Sequence, residues 1–239
     1  VNTLTSLRLN VVLDLQWVDA GGKSLNGGGP WAMPDKDSLL FWQDVASHYR
    51  YYSNVLFELL NEPHPSSAAC WVSGCKMTDK VYSADCHCTK TVTYQAVGMQ
   101  DLVNVASRTG AKNLMLVAGM NWGYSFTQFP TFPVVGRTVV YDTHPYPYYN
   151  KLASDWDTQF GFMRVKYPLI STESGEYDCT STYLSGLYDY FDAHDIGWFA
   201  WSWTTDGNAC GYPRLIQDYQ GTPTQLMGQF IYNRLHSYS

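Results

Sequence analysis

The sequence VLFELLNEPH at residues 55–64 decides the fold class, because a largely apolar run leads directly into a carboxylate and a proline. The run at residues 55–61 predicts a strand that helices cover on both faces. Similar short runs alternate with amphipathic stretches along the chain, a pattern typical of βα units and a parallel sheet. We therefore expect an α/β protein with strands at residues 11–16, 55–61, 113–118, 139–142, 169–173 and 197–201.

Five amphipathic stretches predict the helices of these units. The first, residues 38–49, has Asp37 at its expected N-cap, and the second, residues 92–109, is followed by the helix stop Gly110. The remaining predicted helices span residues 154–167, 183–194 and 224–236. Residues 121–137 are rich in glycine, proline and aromatic residues, so we expect a long loop there. The absence of a linker or repeat predicts a single domain over residues 1–239.

Composition excludes several classes of function. The formal charge is −6 and no lysine or arginine cluster exists, which argues against binding to a nucleic-acid backbone. No run of eighteen apolar residues is present, so no segment is expected to enter a membrane. Aromatic residues make up 16% of the chain, more than a core needs, and such rings stack on sugars. Ordinary core and surface packing is the alternative explanation for these rings.

The six cysteines form an even number in polar loops, which predicts disulfides and a secreted protein. The alternative is a metal site built from a cysteine-rich segment, although its spacing matches no paired Cys-x-x-Cys pattern. The residues of that alternative site are Cys70, Cys75, Cys86, His87 and Cys88. Disulfides therefore remain the favoured interpretation.

Two glutamates terminate predicted apolar strands, where an unpaired carboxylate is energetically costly. They are Glu62 and Glu173. Glycoside hydrolysis needs two carboxyl groups, one to protonate the leaving oxygen and one to attack the anomeric carbon or activate water. Ion-paired carboxylates at a sheet edge are the alternative, but Asn61 and the His144–Tyr146 segment add groups suited to a sugar and a carboxylate. The pattern favours catalysis.

The segment Asn61–Glu62–Pro63–His64 resembles the Asn-Glu-Pro signature of glycoside hydrolase family 5, in which the glutamate closes the fourth barrel strand. Other segments resemble further strand ends of that family in the same order. They are residues 13–17 (third strand), 118–122 (fifth), 142–146 (sixth), 172–175 (seventh) and 199–203 (eighth). The resemblance covers nearly the whole chain and implies a parallel (β/α) barrel of the TIM type.

The resemblance also implies roles for the matching residues. Glu62 would be the general acid/base and Glu173 the nucleophile, and neither a metal nor an organic cofactor is needed. The implied substrate-binding residues are Asn61 for the sugar 2-hydroxyl, His144 and Tyr146 beside the nucleophile, Trp201 as the sugar platform, Trp17, Trp122 and Trp203 as further stacking platforms, and Gln16. Gln16 stands where the family pattern expects histidine.

The first recognisable strand corresponds to the third strand of the family. We therefore expect an incomplete barrel with six recognisable βα units, without the second-strand arginine that supports the nucleophile. Such a sheet would have edges at residues 11–16 and 197–201, so we expect either a homodimer through these edges or coverage by the terminal segments.

The resemblance implies a retaining endo-β-1,4-glucanase, a cellulase, that acts on a β-glucan polysaccharide. The alternatives are a β-1,4-mannanase acting on β-mannan, a non-catalytic carbohydrate-binding relic of the barrel, and a fragment that needs a complementary segment. Since neighbouring strands seven and eight precede Cys179 and Cys210, these two cysteines are the favoured disulfide pair. Three pairings are open for Cys70, Cys75, Cys86 and Cys88.

Overall fold

The computed structural model describes residues 1–18, 31–83, 87–148, 151–178, 180–207 and 212–238. The chain divides into two compact units, Val1–Asp142 and Thr143–Ser239. The single domain over residues 1–239 stays a prediction. None of the helices in the described ranges has the length and apolar character needed to cross a bilayer.

Strands and helices alternate along both units. In chain order, the first unit contains α1 (Asn2–Ser6), β1 (Val11–Asp14), α2 (Lys36–Tyr49), β2 (Val55–Glu58), α3 (Ala68–Ser73), β3 (Lys76–Ser83), β4 (Cys88–Gln95), α4 (Met99–Arg108), β5 (Met115–Ala118), α5 (Met120–Gly123) and β6 (Val139–Asp142). The second unit contains α6 (Trp156–Gln159), a 3-10 helix (Gly161–Val165), β7 (Leu169–Ser171), α7 (Thr182–Ala193), β8 (Gly197–Trp198) and α8 (Met227–His236).

The sheet of the first unit is parallel, with strand order β1-β2-β5-β6. Every residue of β5 and β6 is buried, as expected for strands covered on both faces. From α2, the fully buried Trp42 donates from Nε1 to the Leu59 carbonyl at 2.8 Å and packs against Phe57. The four predicted strands of this unit are confirmed, although the observed strands are up to three residues shorter. Their carboxyl ends meet at one edge of the sheet.

The start of α2 differs from the prediction. Asp35 caps this helix, because its Oδ1 accepts from the backbone N–H groups of Asp37 at 3.0 Å and Ser38 at 3.1 Å. Asp37 is the second helical residue, so its assignment as the N-cap was wrong. Both aspartates place negative charge near the helix N-terminus, but only Asp35 has the extended backbone that a cap requires.

The predicted helix at residues 92–109 is wrong in its first part. Its first residues belong to β4, which pairs with β3 in an antiparallel hairpin with the register Lys76↔Gln95 to Ser83↔Cys88. Exposed Thr91 and Thr93 alternate with buried Val92 and Tyr94, which is the period of a strand. The helix begins only at Met99, after Gly98.

A disulfide joins Cys70 in α3 to Cys75 immediately before the hairpin, with their Cα atoms 5.1 Å apart. Cys88 is also disulfide-bonded. The alternative metal site is therefore wrong for these cysteines, because their sulfurs are not available as thiolate ligands. Cys86, Cys179 and Cys210 lie outside the described residues, so the favoured Cys179–Cys210 pair stays a prediction.

In the second unit, β7 and β8 are parallel neighbours with Ile170 opposite Gly197. Tyr188 of α7 is fully buried and stacks on Trp198 with ring centroids 4.0 Å apart. The predicted strands at residues 169–173 and 197–201 are confirmed in shorter form. The predicted helix at residues 154–167 is divided into α6 and the 3-10 helix, and the helix predicted at residues 224–236 begins at Met227.

Candidate active site

Asn61 and Glu62 follow β2 at the carboxyl edge of the first unit's sheet. The Asn61 backbone N–H donates to the Leu15 carbonyl at 3.2 Å, which links the ends of two neighbouring strands. The Asn61 side chain is only 4% exposed, and its Oδ1 accepts no hydrogen bond from the described residues. A buried acceptor without a donor is costly. Asn61 therefore keeps an unused acceptor beside the candidate acid/base.

Glu62 is half-buried, and its segment is attached to the end of β5. The Glu62 carbonyl lies 2.8 Å from His64 Nδ1, and the His64 ring stacks on Trp122 with centroids 3.5 Å apart and planes within 10°. The Trp122 N–H also donates to the Pro63 carbonyl at 3.2 Å. Trp122 is predicted from the sequence, whereas its partner His64 is not, because the two loops become adjacent only in the folded sheet.

Trp122 has an unusual backbone conformation. Asn121 and Trp122 have φ values of 57° and 61°, in the left-handed region that costs about 1–2 kcal/mol per residue outside glycine. The turn that holds them is closed by hydrogen bonds between Met120 and Ser125 in both directions, each 2.8 Å long. Gly119 allows this closure, since a Cβ there would lie 2.8 Å from the Ser125 carbonyl oxygen. Strain retained at a 42% exposed tryptophan is typical of binding sites.

Gln16 and Trp17 follow β1 at the same edge of the first unit's sheet. The ladder continues one residue beyond the strand, because the Leu15 N–H donates to the Glu58 carbonyl at 3.1 Å. Both Gln16 and Trp17 are exposed, and Trp17 keeps 56% of its surface accessible. The first unit thus gathers Gln16, Trp17, Asn61, Glu62 and Trp122 at the carboxyl ends of its strands.

Glu173 lies two residues beyond β7 in the second unit and is only 9% exposed. The Tyr146 hydroxyl donates to Glu173 Oε2 at 2.9 Å, and His144 Nδ1 lies 3.9 Å from the same oxygen. His144 is fully buried, with its Nε2 3.0 Å from the Thr172 hydroxyl. A phenol that donates to a carboxylate stabilises its charged form. The structure brings together the three residues predicted for the nucleophile's environment.

Glycine at position 175 permits this arrangement. A Cβ on Gly175 would lie 2.8 Å from the Pro213 Cβ and 3.1 Å from Tyr146 Cε1. Pro213 and Tyr146 thus pack directly on the bare backbone next to the Glu173 segment. The Ser171 hydroxyl fixes that segment further by donating to the Glu173 carbonyl at 3.1 Å.

Glu176 is a second buried carboxylate of this unit, and no sequence pattern predicted it. It is 3% exposed and accepts hydrogen bonds from the backbone N–H groups of Tyr183 at 2.8 Å and Leu184 at 3.3 Å. The Thr180 hydroxyl adds a third, at 3.1 Å. These donors belong to the first turn of α7 and the residues before it, so Glu176 caps that helix from outside.

The two predicted tryptophan platforms after β8 differ in their surroundings. Trp201 is half-buried and donates from Nε1 to the Tyr212 hydroxyl at 3.0 Å, and a cis peptide bond joins it to Ser202. Trp203 is 66% exposed and lies beside Gly221. Tyr212 thus fixes the orientation of Trp201, and no local sequence pattern predicts this role.

Comparisons with known proteins agree with the predicted family. The family model described as cellulase (glycosyl hydrolase family 5) matches residues 32–207. A β-glucanase from Saccharophagus degradans is similar at 20% identity, over 98% of this chain and 69% of that chain, with a TM-score of 0.73. That protein also has a structure in complex with cellotetraose. No curated protein sequence matches the chain.

Two further solved structures are similar. The catalytic domain of an endoglucanase from Thermobifida fusca is 16% identical over 98% of this chain and 72% of that chain, with a TM-score of 0.69. An endo-β-1,4-glucanase from Xanthomonas axonopodis pv. citri is 16% identical over 100% of this chain and 76% of that chain, with a TM-score of 0.68. The predicted fold class, a parallel (β/α) barrel of the TIM type with six recognisable βα units, is confirmed.

Proposed function

Because the chain belongs to glycosyl hydrolase family 5 and is therefore a glycoside hydrolase, we propose that it cleaves β-1,4-glucan internally with retention of configuration. The geometry at Glu173 is the observation that carries this proposal. The Tyr146 phenol donates to the nearly buried Glu173 carboxyl group, which orients it and favours the charged form that a nucleophile requires. Glu62, half-buried after β2, supplies the second carboxyl group.

In the proposed reaction, a Glu173 oxygen attacks the anomeric carbon while the Glu62 carboxyl protonates the departing glycosidic oxygen. The bond from the anomeric carbon to that oxygen breaks, and a covalent glycosyl ester forms on Glu173. Glu62, now a carboxylate, then removes a proton from water, whose oxygen displaces Glu173. Asn61 Oδ1 accepts a hydrogen bond from the sugar 2-hydroxyl. Each residue returns to its starting state after one water is consumed.

The choice of substrate is proposed from the similar structures and from the exposed aromatic rings. The β-glucanase and endoglucanases that the fold resembles favour β-glucan, and exposed Trp17 and Trp203 offer rings on which sugars stack. β-Mannan is the competing substrate, because the same strand-end residues serve either polymer. A loss of catalysis with retained oligosaccharide binding would identify the relic instead.

Hydrolysis of hydroxyethylcellulose, β-mannan and xylan by the purified protein tests the proposal, with Glu62→Gln and Glu173→Gln as the inactive variants. We expect endo-type cleavage of the cellulose derivative, lost in both variants. Retention is checked by proton NMR, in which the β-anomer of a fresh product must appear before the α-anomer. Activity that either variant retains, or an α-anomer that appears first, would contradict the assigned roles.

Two broader properties follow as proposals. The disulfide between Cys70 and Cys75 supports secretion, because such bonds persist in oxidising compartments. Immunodetection in the extracellular fraction of the source organism checks the secretion.

Among the described strands of the first unit, β1 pairs only with β2, which supports a homodimer through this edge. Sedimentation velocity checks the dimer, and a monomer at all concentrations would contradict it.

A further inference from the structure

The hairpin of β3 and β4 is bonded to the loop before α2 through one tyrosine side chain. Tyr94 of β4 is buried, and its hydroxyl contacts both backbone groups of Met33 in that loop. It accepts from the Met33 N–H at 3.2 Å and donates to the Met33 carbonyl at 3.0 Å. We propose that Tyr94 is a positioning residue for the acid/base Glu62, and that it acts through this loop. The inference rests on the proposed function, which gives Glu62 its role.

The same loop is bonded to the segment that carries Glu62. The carbonyl of Ala32, the residue before Met33, accepts from the His64 backbone N–H at 3.0 Å. The His64 ring then closes back on Glu62, because its Nδ1 lies 2.8 Å from the Glu62 carbonyl, which can only accept. A displacement of Met33 therefore moves the carbonyl group that holds His64, and His64 in turn holds the backbone of Glu62.

The Tyr94 hydroxyl is suited to hold the Met33 backbone. Burial raises the pKa of Tyr94 above its ordinary value, and the Asp79 charge has a smaller effect in the same direction, so the hydroxyl keeps its proton. The Met33 carbonyl at 3.0 Å is a closer acceptor for that proton than Asp79 Oδ2 at 3.4 Å. Met33 is fully buried, so both of its backbone groups would lose a needed partner without the hydroxyl. The loop would then shift.

The hairpin can fix the position of the loop because its own base is fixed. The Ala96 N–H, just beyond β4, donates to the Cys75 carbonyl at 2.9 Å, and the disulfide joins Cys75 to α3. The next residue, Val97, donates from its N–H to the Pro34 carbonyl at 2.9 Å. The loop is thus held at two points, at Pro34 by backbone and at Met33 by the Tyr94 side chain. Only the second point depends on a side chain that can be changed.

A displaced acid/base has a kinetic signature that a general loss of structure does not have. Glu62 protonates the departing oxygen, so its position matters most for a poor leaving group, such as the phenol of phenyl β-cellotrioside. The leaving group of 2,4-dinitrophenyl β-cellotrioside departs as a stable anion and needs no proton. For both compounds kcat/KM reports formation of the glycosyl ester on Glu173. The ratio of the two values therefore isolates protonation and does not depend on the fraction of enzyme that is folded.

Tyr94→Phe removes the hydroxyl and keeps the ring against Trp31, whose centroid is 5.7 Å away. We expect kcat/KM for the phenyl glycoside to fall about 5- to 20-fold, and that for the dinitrophenyl glycoside to fall less than about twofold. The matched control is Tyr141→Phe, because the Tyr141 hydroxyl is also buried and donates to a backbone carbonyl, that of Val134, at 2.6 Å. This control should leave the ratio unchanged. Urea denaturation checks that both variants fold.

Three results would overturn the inference while the proposed function stands. They are an equal fall for both glycosides in Tyr94→Phe, no fall for either, and the same selective fall in Tyr141→Phe. A native protein that hydrolyses neither glycoside nor hydroxyethylcellulose would overturn the proposed function and, with it, this inference. The two failures are therefore distinguishable.

Discussion

Glu173, which follows β7, and Glu176, which caps α7, lie three residues apart in the sequence, yet the same type of side chain has a different role at each position. Both carboxylates are buried, at 9% and 3% exposure. Glu173 accepts from the Tyr146 phenol, whereas Glu176 accepts from the backbone N–H groups of Tyr183 and Leu184. Burial alone therefore does not identify a catalytic carboxylate. The source of its hydrogen-bond donors does.

The largest expected effect comes from Glu173→Gln. The amide has nearly the same shape but cannot attack the anomeric carbon, so kcat on hydroxyethylcellulose should fall at least about 1,000-fold. The free energy of unfolding should change little, because the amide oxygen still accepts from Tyr146. Initial rates and urea unfolding measure both quantities. A large loss of stability with retained turnover would mean that Glu173 has a structural role instead of a catalytic one.

Gly175→Ala is expected to have the next largest effect. The new methyl group must displace Pro213 or Tyr146, and a shift of Tyr146 misorients Glu173. We expect kcat to fall about 10- to 100-fold, since misplacement of a reacting group by about 1 Å has effects of this size. Steady-state kinetics on a soluble β-glucan measure it.

Gly186→Ala is the matched control in the second unit. Gly186 lies within α7, and a Cβ there would meet only Trp156, at 4.0 Å. Because alanine favours a helix more than glycine does, the protein should become about 0.5–1 kcal/mol more stable, with unchanged kcat. If both glycine variants leave kcat unchanged, close packing at Gly175 does not position Tyr146.

Glu176→Gln tests the structural side of the comparison. The amide is neutral and brings two N–H donors to a site that already faces N–H groups, so α7 loses part of its cap. We expect the free energy of unfolding to fall about 1–2 kcal/mol, measured by urea denaturation. The kcat of the folded fraction should stay within about twofold of the native value, and a loss comparable to that of Glu173→Gln would show that the two carboxylates are not separable.

The strand ends could be predicted from the sequence because buried parallel strands leave continuous apolar runs, and Glu62, His144 and Glu173 follow such runs directly. The hairpin of β3 and β4 was not predicted, because its strands do not form continuous apolar runs. Its threonine-rich strand alternates with period two, and a helix of correct type follows it at Met99. The helical pattern from Met99 onward was extended too far toward the N-terminus, so the end of β4 was predicted as helix.

Contacts between segments distant in sequence could not be predicted. The Trp201–Tyr212 hydrogen bond and the His64–Trp122 stack each depend on how loops meet after folding. Glu176 shows the same limit at shorter range. It lies six residues before α7, beyond the spacing of an N-cap, so only the folded turn brings its carboxylate to the helix N–H groups.

The smallest expected effect isolates one hydrogen bond at the cap. Thr180 donates from its hydroxyl to Glu176 Oε1 at 3.1 Å, and the same hydroxyl accepts from the Thr182 N–H at 3.3 Å. Thr180→Val removes both bonds and should lower the free energy of unfolding about 0.5–1.5 kcal/mol, while Thr180→Ser should retain most of that stability.

The same substitution, Thr180→Val, should cost less stability when Glu176 is already glutamine. The Thr180 hydroxyl then donates to a neutral amide oxygen, so the bond that is removed is weaker, and only the bond to the Thr182 N–H is lost at its full strength. Urea denaturation of the four proteins in this double-mutant cycle gives the coupling. A coupling of zero would mean that Thr180 stabilises the protein only through its bond to the Thr182 N–H. Glu176 would then cap α7 through the backbone N–H groups of Tyr183 and Leu184 alone.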